Sequence, residues 1–138
     1  MTQLSDARAG VITPEMRLVA EKEAVPVQWL MDQVATGRVV IPFNPSGGRA
    51  VPCGVGEGLS VKVNANIGTS SDRADLDEEM EKLNACIGAG TDTVMDLSTG
   101  GHIAETLQAI LSASSVPVGT VPIYQAVVEA VESEGGLI

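Results

Sequence analysis

The 138 residues predict an α/β architecture: N-terminal helices followed by the first three β/α units of a (β/α)8 TIM-type barrel. Three observations lead there. From residue 60 onward, strand-like apolar runs and helical 3.6-residue periodicity take turns three times, with short connections. Such alternation means parallel strands joined by helical crossovers, which leaves a doubly wound sheet or a barrel. No GxGxxG follows the first strand, which removes the dinucleotide-binding form of the doubly wound sheet. Finally, Asn66, Met95 and Tyr124 lie at or near successive strand ends and are 29 residues apart each time. A barrel of about 250 residues in eight units allots roughly 31 residues to each. Equal spacing then sets the three side chains at equivalent stations on its C-terminal rim.

Residues 1–59 read as a helical and loop segment leading into the barrel, and 60–138 as its first three units. Thr13 caps and Pro14 opens a helix over 13–24, with Met16, Val19 and Ala20 at helical spacing. Pro26 opens a second helix over 26–37. There Val27, Leu30, Met31 and Val34 share a face, Trp29 covers its edge and Gly37 closes it. Residues 39–42 form a short strand, followed by a loop rich in Gly and Pro. "GVGEG" at 54–58 precedes a strand instead of opening a helix, so it is a turn and not a phosphate loop.

The strand at 60–66 should place Val61, Val63 and Ala65 under helices, and Lys62, Asn64 and Asn66 toward the interior. A helix over 74–90 carries Leu76, Met80, Leu83 and Ile87 on one stripe. A strand at 92–97 and a helix over 102–114 follow, with Ile103, Leu107 and Ile110 inward. The third strand, 116–121, is bracketed by Pro117 and Pro122, which lack N–H donors and belong at strand ends. The last helix runs over 123–135. Three units cannot close a ring of eight, so strand edges need covering.

Composition narrows the function classes. With 44% apolar residues but one Phe, one Trp and one Tyr, the core is aliphatic and methionine-rich. A net charge of −10, from 18 acidic and 8 basic residues, repels a phosphate backbone and argues against nucleic acid as a partner. The acidic run "DRADLDEEMEK" reads as a solvated helix face. Cys53 and Cys86 form no CxxC pair and read as reduced thiols, buried or half-buried. Neither a secretory leader nor a membrane-length apolar run is present, so the expected location is the cytoplasm, without a membrane partner.

The strand ends carry the chemistry. An asparagine amide offers donor and acceptor together, which suits an aminoimidazole edge, but the same amides could simply satisfy loop backbone. Met95 is either core or a thioether against a flat heterocycle. The Tyr124 hydroxyl reaches a substrate or a neighbouring loop. Ser98 and Thr99 are placed to cap the helix beginning near His102. His102 itself has no carboxylate or second histidine at ligand spacing and reads as a helix-start residue without metal. No nucleophilic triad is readable.

"KVNANIG" (62–68), "AGTDTVMDLSTG" (89–100) and "VPVGTVPIYQA" (116–126), with "GVITPEM" (10–16) and "VVIP" (39–42) before them, resemble the phosphomethylpyrimidine synthase family. These are radical S-adenosylmethionine enzymes of thiamine biosynthesis. The resemblance covers essentially the whole chain, in the family's order and spacing. It implies a (β/α)8 barrel, a homodimer, and a carbon–carbon lyase that rearranges 5-aminoimidazole ribotide into hydroxymethylpyrimidine phosphate. A four-iron four-sulfur cluster with S-adenosylmethionine supplies the 5′-deoxyadenosyl radical, and zinc is a further family metal. Asn66, Met95 and Tyr124 match the family's substrate-binding positions.

The departures are as specific. The family's late Cx2Cx4C cluster motif and its zinc histidines have no counterpart in these residues, so neither metal site nor any catalytic residue is expected here. The expectation is an N-terminal part of the enzyme, without turnover on its own. "IPFNPSGG" (41–48) stands where the family usually has an Asn-His pair. The 5-hydroxybenzimidazole synthases, which use the same ribotide for the lower ligand of anaerobic cobamides, resemble the chain too. A truncated, non-catalytic remnant is the third reading.

Overall fold

A computed structural model describes residues 2–42 and 50–135, apart from the side chains of residues 132 and 134. These residues divide into two compact units, 1–62 and 63–138.

The first unit holds helices α1 (Gln3–Arg8), α2 (Pro14–Lys22) and α3 (Val27–Ala35), and a hairpin of β1 (Val39–Val40) and β2 (Val55–Gly56). The periodicity did not reveal α1, because a six-residue helix with one buried side chain, Ala7, has no apolar stripe to read. Its start is a reciprocal capping box between Thr2 and Ser5. For α2 the expected cap is in place: the Thr13 hydroxyl accepts the Met16 N–H at 3.2 Å. Pro26 stands just outside α3 instead of inside it. Met16, Val19, Leu30, Met31, Val34 and Val39 form the buried core, with Trp29 partly buried beside it.

"GVGEG" is a strand end and turn, as its position predicted. Gly56 has φ +148°, and a Cβ there would come within 2.1 Å of the Arg38 carbonyl oxygen, so only glycine lets the hairpin strands meet. Residues 43–49, which include most of the "IPFNPSGG" departure, lie outside the described residues.

Lys62 departs from expectation. It does not join a polar strand face; its ammonium lies 2.9 Å from the Glu23 carboxylate, with side chains 7% and 3% exposed. Glu23 also accepts the Ser60 N–H at 2.8 Å. Burial pushes the Glu23 carboxyl up, but the hydrogen bonds from Ser60 and Lys62 outweigh it and hold the group below its ordinary value.

The second unit is β3 (Asn64–Ile67), α4 (Leu76–Gly88), β4 (Thr93–Asp96), α5 (Ile103–Ala113), β5 (Val118–Thr120) and α6 (Pro122–Glu134). The strands pair in parallel in the order β3-β4-β5, the repeated β/α alternation read from the sequence. A closed barrel is not present among the described residues. Ile67, Val94, Leu83 of α4 and Ile110 of α5 pack into one buried cluster, so these helices cover one face of the sheet.

One stripe position differs from expectation. Leu76, at the first turn of α4, is 42% exposed, and Glu79 takes the buried place at 2%. β3 also begins four residues later than predicted, because its ladder starts where Asp92 and Thr91 clamp Val63. Val61 and Val63 therefore precede the strand and are 92% and 60% exposed instead of lying under helices. No helix among the described residues is long and apolar enough to cross a membrane.

Candidate functional site

Parallel pairing places directly opposed residues on the same face of a sheet. The register sets Asn66 opposite Met95 and Met95 opposite Gly119, one row across three strands. A second row, one pleat earlier, joins Asn64 to Thr93. These residues lie on the face away from the Ile67–Val94 cluster. Asn64 and Asn66 are exposed, Thr93 and Met95 half-buried.

The amides pair with each other and with Thr93, not with loop backbone. Asn64 Nδ2 donates to Asn66 Oδ1 at 2.9 Å, and the Thr93 hydroxyl donates to Asn64 Oδ1 at 2.9 Å. Met95 lies against the strand beyond it. A Cβ at Gly119 would sit 3.0 Å from both Met95 Sδ and Cε, so the missing side chain makes room for the thioether. Gly119 was not among the residues singled out from sequence, although a glycine inside a three-residue strand signals close approach.

Tyr124 is not at the equivalent station. It is the third residue of α6, beyond the C-terminal end of β5, and is 42% exposed. The equal 29-residue spacing was misleading here. Met95 and its register partner Gly119 are only 24 residues apart. The second crossover is shorter than the first: α5 has 11 residues against 13 in α4, and the loop before it is tighter. Tyr124 thus follows the strand end instead of joining the row.

Below the rows, the loops after β3 and β4 are locked together by buried polar groups. Asp96 Oδ1 accepts both the N–H and the hydroxyl of Ser98, at 3.0 and 2.5 Å, and Ser98 Oγ accepts the Thr69 N–H at 3.1 Å. The Thr69 hydroxyl donates to the Gly100 carbonyl at 2.9 Å. Glu79 accepts the Gly68 N–H at 2.8 Å and pairs with Lys82. Asp96, Ser98, Thr69 and Glu79 are each under 5% exposed. Buried polar groups are costly unless paired, and here each has a partner, which makes the rim rigid. Gly68, at φ +137°, permits it: a Cβ there would lie 2.5 Å from the Ser98 nitrogen.

Several expectations change in consequence. Ser98 and Thr99 do not cap α5, because Asp96 and Thr69 engage Ser98 first and the helix begins only at Ile103. His102 occupies the N-cap position at φ 61°, and its Nδ1 is 3.2 Å from Glu105, one turn on and equally exposed; that carboxylate was overlooked. Glu79, read as part of a solvated acidic face, is the buried partner of the rim. Sequence offers no sign of that beyond its place in the first turn, where loop N–H groups gather.

A cavity of about 50 Å³ beside Asp96, Thr120 and Gln125 has room for a few waters only. Cys53 is buried in the first unit and Cys86 half-buried in the second. Among the described residues no three His, Cys, Asp or Glu side chains converge to hold a metal.

Comparison with known proteins matches residues 2–138 to the model of the "Radical SAM ThiC family". A phosphomethylpyrimidine synthase of Moorella thermoacetica is 53% identical over all 138 residues, and that of Thermus thermophilus is 55% identical over 127, or 91% of this chain and 29% of the relative. A second Moorella thermoacetica protein, 5-hydroxybenzimidazole synthase BzaB, is also 53% identical over the full chain. The chain spans 32% of the length of both Moorella relatives.

Proposed function

The chain belongs to the Radical SAM ThiC family, and from that premise we propose that it forms the entry and first three β/α units of a (β/α)8 barrel. Within it, Asn66, Met95 and Tyr124 bind 5-aminoimidazole ribotide for conversion to hydroxymethylpyrimidine phosphate in thiamine biosynthesis. The whole protein acts as a cytoplasmic, homodimeric radical S-adenosylmethionine carbon–carbon lyase. Its cluster, S-adenosylmethionine and zinc are held by residues other than these, so the 138 residues contribute binding and no turnover.

The observation that carries the reading is the row of Asn66, Met95 and Gly119 on a sheet face that no helix of the unit's core covers. An amide beside a thioether that packs over Gly119 suits a planar nitrogen heterocycle, edge to the amide and face to the sulfur. The locked loops at the strand ends support it, since binding groups act best on rigid backbone.

Replacing Asn66 with Ala is expected to weaken ribotide binding by about 1–3 kcal/mol in calorimetry, the value of a buried ligand hydrogen bond. Affinity equal to that of the unaltered chain would remove Asn66 from the site. A second reading has its own support: the thiamine and benzimidazole relatives from one organism are equally identical to this chain. Both branches use the same ribotide in this reading, so product analysis of the complete enzyme, pyrimidine or benzimidazole, separates them.

A further inference from the structure

Resting on the reading of Asn66 as a ligand-binding group, we infer that Thr93 and Asn64 are positioning residues that orient the Asn66 amide so that its N–H2 edge meets the ligand. Each link of the ladder is directional. The Thr93 hydroxyl, a group that can donate or accept, donates to Asn64 Oδ1 at 2.9 Å. That leaves Asn64 Nδ2 as the donor on the other side, and it spends one N–H on Asn66 Oδ1 at 2.9 Å. Turning the Asn66 amide alone would set two N–H2 groups against each other, so the three side chains reverse together or not at all.

Of the donor and acceptor that an asparagine offers, the acceptor is thus engaged within the sheet. The Asn66 N–H2, on an exposed side chain, has no acceptor among the described residues. The ligand atom it receives is therefore a hydrogen-bond acceptor. Within an aminoimidazole ring that is the unprotonated ring nitrogen, not the exocyclic amino group. The row orients the heterocycle as well as holding it, and Thr93 sets that orientation through Asn64.

The test titrates the full 138-residue chain with 5-aminoimidazole ribotide by calorimetry, alongside thermal unfolding. Thr93→Val, which keeps shape and removes only the hydroxyl, is expected to weaken binding by about fivefold or more, as for one misaligned hydrogen bond. Its unfolding midpoint should not fall, because valine suits a strand. Thr93→Ser restores affinity to within about twofold. Wild-type affinity in Thr93→Val overturns the positioning role. Asn66→Ala without effect instead sinks the ligand-binding reading, whatever Thr93 does. The ladder itself is read without ligand, by NMR coupling across the hydrogen bond. A coupling from Asn64 Nδ2 to Asn66 Cγ supports the polarity; its absence, or a coupling in the opposite direction, overturns it.

Discussion

The two units solve the same problem in opposite ways. In residues 1–62, three helices and a hairpin bury Met16, Leu30, Met31 and Val34 in one apolar core. Charge enters this unit as the Glu23–Lys62 pair, whose side chains are 3% and 7% exposed. Residues 63–138 have a smaller buried cluster of Ile67, Leu83, Val94 and Ile110, on one side of the sheet. The other side carries a polar ladder, and the rim is sealed by buried hydroxyls and carboxylates. The difference teaches where each unit's specificity lies. In the first, apolar packing decides the structure. In the second, hydrogen bonds do, and they leave Asn64 and Asn66 exposed on the sheet's other face.

The sharpest way to break this contrast is the buried ion pair. Lys62→Met strands the Glu23 carboxylate and is expected to destabilise the protein by about 3–5 kcal/mol in denaturant titration. The pair also sets an acid dependence. Because the folded-state pKa of Glu23 is lowered, the unfolded chain binds more protons, so the stabilisation is complete above about pH 4.5 and is lost as pH falls through the lowered value. Lys62→Met should flatten that acid limb; an unchanged limb would show that the pair contributes nothing there.

Leu83→Ala tests the second unit's core. Leu83 is fully buried, and its truncation is expected to cost about 2–5 kcal/mol through lost burial and a residual cavity. Hydrogen exchange should then accelerate in residues 63–135 and stay slow in the helices of residues 2–41. Uniform acceleration would erase the distinction between the units.

The smallest effect is expected at the rim. Ser98→Ala removes a bridge between Asp96 and Thr69 and should cost about 1–3 kcal/mol, since one buried N–H and one carboxylate oxygen lose a partner. Its mark is faster exchange of the Thr69 amide. A Thr69 amide that stays protected would mean that the loop is held by other contacts.

Much of this architecture was legible in the residues. Helices α2 to α6 were readable because Met16 and Val19, Leu30 and Val34, Leu83 and Ile87 recur at the helical period, and caps such as Thr13 declare themselves locally. Asn66 and Met95 were legible as a pair, since their strands are marked by alternation. What escaped did so for identifiable reasons. α1 is too short to show a period. Glu79 looks like any surface glutamate until the Gly68 loop folds over it.

The sequence by itself determined most of the helices and strands, α1 and β2 excepted, that the strands of the second unit run parallel, and that amide and thioether groups stand near their ends. Those are local properties, written in periodicity and side-chain type. Only the tertiary structure decided that Lys62 leaves the sheet for Glu23, that Gly119 and not Tyr124 completes the row with Asn66 and Met95, and that Ser98 serves Asp96 instead of a helix. Each of these depends on crossover length and on which buried polar group finds a partner first, and such pairings between distant residues follow from the assembled packing, not from any local period.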